Sequence, residues 1–216
     1  MIKEKILKLK EKLIAEANIV QMMIEKSIDG LIEGYSDKLF EVMRHESEIN
    51  QMEIEIEELC TNTIALFQPE AKDLRTVLMI YKINNDIERI GDQAVNIAES
   101  SQFLIERPAL NLIKTIPPMA KETIGMIRDS ISAFADEDTK LSMSVCVRDS
   151  KVDNMNEEII KELIEEMIKD PQTVERAFHL IRISKNLERI ADLSTNIAED
   201  TIFMTAGRVI KHHQEA

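Results

Sequence analysis

Apolar residues recur at intervals of three and four along almost the whole chain, the period of helices that bury one face. Breakers cut this pattern into six stretches. The first runs from about Ile2 to Leu31 and stops near Gly30 and Gly34. The second opens near Ser36-Asp37 and runs to about Leu66, ahead of Pro69. The third begins around Lys72-Asp73 and reaches about Arg107, before Pro108. A loop with Pro108, Pro117 and Pro118 divides the chain. The fourth helix spans about Pro118 to Phe134, the fifth about Asp138 to Asp170, and the sixth follows Pro171 to about Ala206, before Gly207. The pattern predicts an all-α fold of two tandem three-helix bundles, residues 1–107 and 115–207, with 208–216 as a flexible tail carrying His212 and His213.

The halves are related by duplication. Residues 83–99 read INNDIERIGDQAVNIAE and residues 183–199 read ISKNLERIADLSTNIAE, with nine of seventeen positions identical at an offset of 100. Earlier in each half the offset is 103: Met23-Ile24 matches Met126-Ile127, and Ile49, Met52 and Ile56 match Val152, Met155 and Ile159. The second half has therefore lost three residues between its second and third helices. A repeated apolar pattern shows a duplicated scaffold. Repetition of Glu88, Asp92, Asn96 and Glu99 as Glu188, Asp192, Asn196 and Glu199 points to a duplicated site as well, because polar surface positions are free to drift.

With Glu88 set at zero on a helical wheel, Asp92, Glu99 and Asn96 fall within about 80°, while Met79, Ile83, Ile90, Ala94 and Ile97 fall at about 180–240°. The acids are expected on the face away from the core. The second helix of each half adds its own stripe at the edge of the apolar face: Glu46, Asn50, Glu53 and Glu57, then Asp149, Asp153 and Glu157. If these helices are neighbours, two acidic stripes converge along one groove. Like charges at i,i+4 cost roughly 0.2–0.5 kcal/mol per pair, and a bound cation offsets that. Arg89 and Arg189 offer partial neutralisation instead. Donor oxygens without recurring His or Cys suit hard cations such as Mg²⁺, Ca²⁺, Mn²⁺ or iron.

Composition narrows the remaining choices. The chain has 216 residues, 44% of them hydrophobic, no Trp, and a formal net charge of −13. Such acidity disfavours nucleic acid and suits cations or basic protein surfaces. Cys60 and Cys146 fall on apolar faces and read as small buried hydrophobes in a reducing compartment. No secretory h-region follows the N-terminal MIKEKILKLKEK, and no apolar run approaches the roughly 20 residues that cross a bilayer. The expectation is a cytoplasmic protein without membrane insertion.

At the repeated acids the chain resembles the PhoU family of phosphate-uptake regulators. Glu88-Arg89-Ile90-Gly91-Asp92-Gln93-Ala94-Val95-Asn96-Ile97-Ala98 follows the family's doubled motif closely, and Glu188 to Ala198 follows it with Ala191 for Gly and Ser194 for Ala. Asp149 to Asp153 fits the companion element on the second helix. Glu46 to Asn50 carries Asn where an acid would stand, with Glu53 to Glu57 as an overlapping candidate. The resemblance implies paired three-helix bundles and multinuclear metal sites, iron in some members; because carboxylate sites are promiscuous, zinc, manganese, magnesium, calcium and nickel stay open as well. It implies a homodimer, as is frequent in the family, and it establishes no catalytic activity; the expectation is a protein that is not an enzyme. It also implies a cytoplasmic repressor of the phosphate regulon, linking the ATPase subunit of the phosphate transporter to a sensor histidine kinase. The implied ligands are Glu88, Asp92, Glu188, Asp192, Asp149, Asp153, Glu46, Glu53, Glu57, Asn96 and Asn196.

Three rivals remain at this stage. An oxygen-activating di-iron enzyme needs Glu-x-x-His pairs, which this chain lacks. A nucleophilic hydrolase would need His45 or His179 brought to a cysteine. A metal-independent helical adaptor, serving a different phosphate permease, would use the acids for solubility or for a basic partner. With no Gly-rich loop and no Arg cluster, phosphate itself is not expected to bind.

Overall fold

The computed structural model of the chain describes residues 2–208. Among them every regular element is helical: α1 (Ile2–Glu33), α2 (Ser36–Phe67), α3 (Ala71–Ile105), α4 (Ile116–Asp136), α5 (Thr139–Lys169) and α6 (Val174–Ala206), with 3₁₀ turns at Asn111–Thr115 and Pro171–Thr173. The six predicted helices are present, with ends displaced by less than a turn. Expected tail residues His212 and His213 lie outside the described residues.

Local chemistry accounts for the helix ends. Gly34 closes α1 with φ of 73°, a left-handed conformation that suits glycine, and the amides of Gly34 and Tyr35 both donate to the Gly30 carbonyl. Pro117 and Pro118 sit in the first turn of α4, where a missing N–H costs nothing. Asp138 caps α5, its carboxylate accepting from the amides of Lys140 and Leu141 at 2.9 and 3.1 Å. The predicted three-residue loss falls between α5 and α6. Gln68, Pro69 and Glu70 link α2 to α3, whereas Asp170 leads straight into the turn at Pro171.

Each of α1, α2 and α3 packs on the other two, and α4, α5 and α6 do the same. The halves meet where α3 lies against α6 and α1 against α4. Repeated apolar positions such as Ile83/Ile183, Ile90/Ile190 and Ile97/Ile197 are all buried, in one hydrophobic cluster that runs from one half into the other. Both cysteines are buried in it and unbridged. Lys82 Nζ reaches Asp200 at 2.6 Å and Arg182 reaches Glu99 at 4.0 Å, so α3 and α6 run antiparallel. Lys10 and Lys72 both hold Glu137 at the end of α4, at 2.8 and 2.6 Å, and keep its carboxyl below the usual range.

Within the second half, Arg148 of α5 clamps α4. Its Nε donates to Glu122 and its Nη1 to Asp129, each at 2.6 Å. It lies over Gly125, where an added Cβ would stand 2.6 Å from Nη2. Arg148→Met leaves two half-buried carboxylates short of a partner. It is expected to lower stability by about 1–3 kcal/mol, less than a fully buried pair because solvent still reaches these groups. Urea unfolding checks this.

Candidate metal-binding seams

Because Ile49 and Ile56 of α2 and Ile83, Ile90 and Ile97 of α3 turn into the core, the acids one step round each helix meet along the α2–α3 seam. Their charges are coupled there. Loss of hydration pushes the Glu88 carboxyl up to about 7; Asp92, Glu53 and Glu46 add to the rise and Arg89 opposes it. Glu53 is likewise raised by lost hydration, opposed by the Asn85 amide at 3.5 Å and aided by Glu57 and Asp92. Glu46, Glu53, Glu88 and Asp92 thus form one electrostatic group drawn from two helices.

The α5–α6 seam repeats the arrangement. Lost hydration, then Asp149, Glu188 and Asp153, push Asp192 up to about 6, although the residue is exposed and solvent screens much of this. Asp153 is raised by lost hydration and by Asp149, Glu188 and Glu157. Lys185 pairs with Glu188 at 3.3 Å, and Thr195 donates to Asp149 at 3.3 Å.

The motif acids differ in exposure: Glu88, Asp92 and Glu188 are half-buried at the edge of the open helix face, whereas Glu99 and Asp192 are exposed. Arg89 pairs with Asp86 at 3.4 Å and still offsets part of the rise at Glu88. Two sequence candidates also lead elsewhere. Glu57 accepts from the Tyr81 hydroxyl and lines a cleft of about 560 Å³ between α3 and α6, together with Lys82, Asn85, Asp86 and Asn196. Asn196 therefore faces the other half. Asn96 is half-buried on α3.

Three acids were missed. Asp86 and Asp200 are buried across the α3–α6 contact, and lost hydration with the Asp200 charge pushes Asp86 up to about 6. Glu16 of α1 is 0% exposed and neither of its oxygens has a hydrogen-bond partner. Burial, reinforced by Glu53 and Glu88, pushes it up to about 8. Glu16 had a legible signal: it shares an apolar register with Leu13, Ala17 and Val20, all buried.

The donors in both seams are carboxylate oxygens with few counter-cations, a set that suits hard cations. Among the described residues, no three or more His, Cys, Asp or Glu side chains stand ready to hold a metal ion. Binding would have to draw the carboxylates together against their mutual repulsion. The thiols offer no nucleophile, since burial pushes Cys60 up to about 12 and Cys146 to about 11. His45 is engaged with Glu48 at 2.8 Å, and His179 is stacked on Phe103 with ring centroids 3.8 Å apart. No described helix is long and apolar enough to cross a membrane.

Two three-helix units joined along their third helices, each with a carboxylate-lined seam, define a duplicated helical-bundle protein with twin acidic sites. The PhoU domain matches residues 13–101 and again residues 116–201, and the chain belongs to the PhoU family. It is 37% identical to the phosphate-specific transport system accessory protein PhoU homolog of Aquifex aeolicus, over 94% of this chain and 92% of that one. It is 35% identical to PhoU homolog 2 of Thermotoga maritima, over 100% of this chain and 92% of the relative. The crystal structure of PhoU from Pseudomonas aeruginosa superposes with a TM-score of 0.94 at 30% identity, covering 96% of this chain and all of that one.

Proposed function

We propose that this chain is an accessory protein of a phosphate transport system that restrains the phosphate regulon when phosphate is plentiful. It does so from the cytoplasm, as a dimer, by contacting the transporter's ATPase subunit and the sensor histidine kinase. Metal ions held in the α2–α3 and α5–α6 seams organise it, and it performs no catalytic step. The observation that carries this reading is the doubled PhoU domain, together with relatives named for phosphate transport that align along nearly their whole length.

The electrostatics favour metal over phosphate. Each seam gathers four or more acids, and even the α3–α6 cleft sets Glu57, Asp86 and Glu199 against Lys82 and Arg89. Glu46, Glu53, Glu88 and Asp92 would hold metal in the first seam; Asp149, Asp153, Glu188 and Asp192 in the second. A bound multivalent cation would relieve the repulsion that lifts Glu88 and Asp192. One observation favours the rival of a metal-independent adaptor for a different permease: among the described residues, the side chains do not already form a metal-holding cluster.

Deleting the gene in its own organism tests the regulatory role. A phosphate-controlled reporter should switch on in phosphate-rich medium and fall silent when the gene is restored. A reporter that stays repressed in the deletion strain rules the role out. Elemental analysis of purified Asp92→Asn/Asp192→Asn separates the two readings of the seams: metal lost with helicity kept supports the site, and unchanged metal content favours the adaptor.

A further inference from the structure

The duplication permits a comparison inside one chain. At the offset of 103, Glu16 corresponds to Met119 and Glu53 to Asn156; at the offset of 100, Asn84 corresponds to Ser184. Contacts in the second half bring these positions together. Ser184 Oγ donates to Asn156 Oδ1 at 2.7 Å and lies 3.4 Å from Met119 Sδ. All three are buried, their polar atoms meet one another, and the thioether fills the remaining space.

The first half differs at the same place. Asn84 Nδ2 is committed to the backbone carbonyl of Glu53 at 3.0 Å. Asn84 Oδ1 and both Glu16 oxygens have no hydrogen-bond partner, and both residues are 0% exposed. Buried acceptors without donors are costly, and a buried acid is costlier still. Three acceptor oxygens with no facing donor call for a proton, a water or a cation. Glu53 and Glu88 bear on Glu16 electrostatically from the seam, and their added negative charge favours a doubly charged ion.

We propose that the first half alone holds an inner hard divalent cation, bound by Glu16 and Asn84 from within the three-helix unit and by Glu53 and Glu88 from the seam. The twin sites are then unequal: the first reaches inward to α1, while the second ends at Met119. An all-oxygen set selects Mn²⁺ or Mg²⁺ over thiophilic metals. This inference rests on the metal reading of the first seam, with which it shares Glu53 and Glu88.

The test is Mn²⁺ binding to the metal-stripped full chain, followed by the loss of the free-ion paramagnetic resonance signal. Wild-type protein should bind one Mn²⁺ at least ten-fold more tightly than any other. That tight ion should survive Asp153→Asn/Asp192→Asn, which disables the second seam, and should be lost in Glu16→Met. The Glu16→Met change copies the residue that the second half uses, so the variant should fold; Glu16→Gln, which keeps the side-chain shape, should lose the ion as well. A tight ion retained in both Glu16 variants but lost in Asp92→Asn overturns the inner site and leaves the seam reading standing. Seams of equal affinity in the wild type do the same. No Mn²⁺ bound by folded wild-type protein overturns both.

Discussion

Stripped of metal, the protein is expected to be most stable near pH 5 and to weaken toward pH 8. Glu16 dominates this slope. Its folded carboxyl titrates at about 8 against an ordinary 4.5. Between those values the folded state keeps a proton that the unfolded chain releases, so stability falls as pH rises and levels off above about 8. At about 1.4 kcal/mol per unit, the loss across the window is roughly 3–5 kcal/mol. Asp86 and Asp192, raised to about 6, and Glu88, raised to about 7, act in the same direction, with solvent reducing the shares of Glu88 and Asp192. Glu122 and Glu137, held low by lysines and Arg148, lose their contribution only as pH falls below the ordinary carboxylate range. The maximum therefore sits between the two groups. Glu16→Met removes most of the slope and raises the melting temperature at pH 8 by about 10 °C, with little change at pH 5. Thermal unfolding in chelator at the two pH values measures this, and stability that is flat or rising from pH 5 to pH 8 would refute a protonated Glu16.

Adding Mn²⁺ at pH 7.5 is expected to reverse the loss. A ligand that binds only the folded state adds about 2.7 kcal/mol per site at one hundred times its dissociation constant. Two occupied seams then raise the melting temperature by roughly 10 °C or more in a chain of this size. The gain should grow with Mn²⁺ concentration. Asp92→Asn/Asp192→Asn should forfeit most of it while being more stable than wild type in chelator, because like charges in each seam have been removed. Equal stabilisation of variant and wild type would place the bound ions away from the seams.

The particular residues show why some features were legible and others were not. Gly34, the Pro117-Pro118 pair and Asp138 mark helix ends through their own backbone chemistry, so the boundaries came within a turn. Glu88 and Glu188 stood out because they repeat. Glu16 does not repeat; its apolar register marks it as an acid that turns inward, but only its surroundings show that it lies buried without a hydrogen-bond partner beside Glu53 and Glu88. Asp86 and Asp200 look like ordinary surface acids in sequence. Only the antiparallel crossing of α3 and α6 buries them against each other, and that crossing also sends Asn196 toward Glu57 of the other half.

By itself the sequence determined six helices, their ends, the tandem duplication and the two motif acids of each seam. All of these rest on spacing along the chain, where three or four residues make one turn. Tertiary structure alone decided which helix face is open, which carboxylates lose their water, and that Glu16 is buried within reach of the charges of Glu53 and Glu88 while Met119 packs on Ser184. Hydration and charge coupling depend on distances between helices, and no local period encodes those distances.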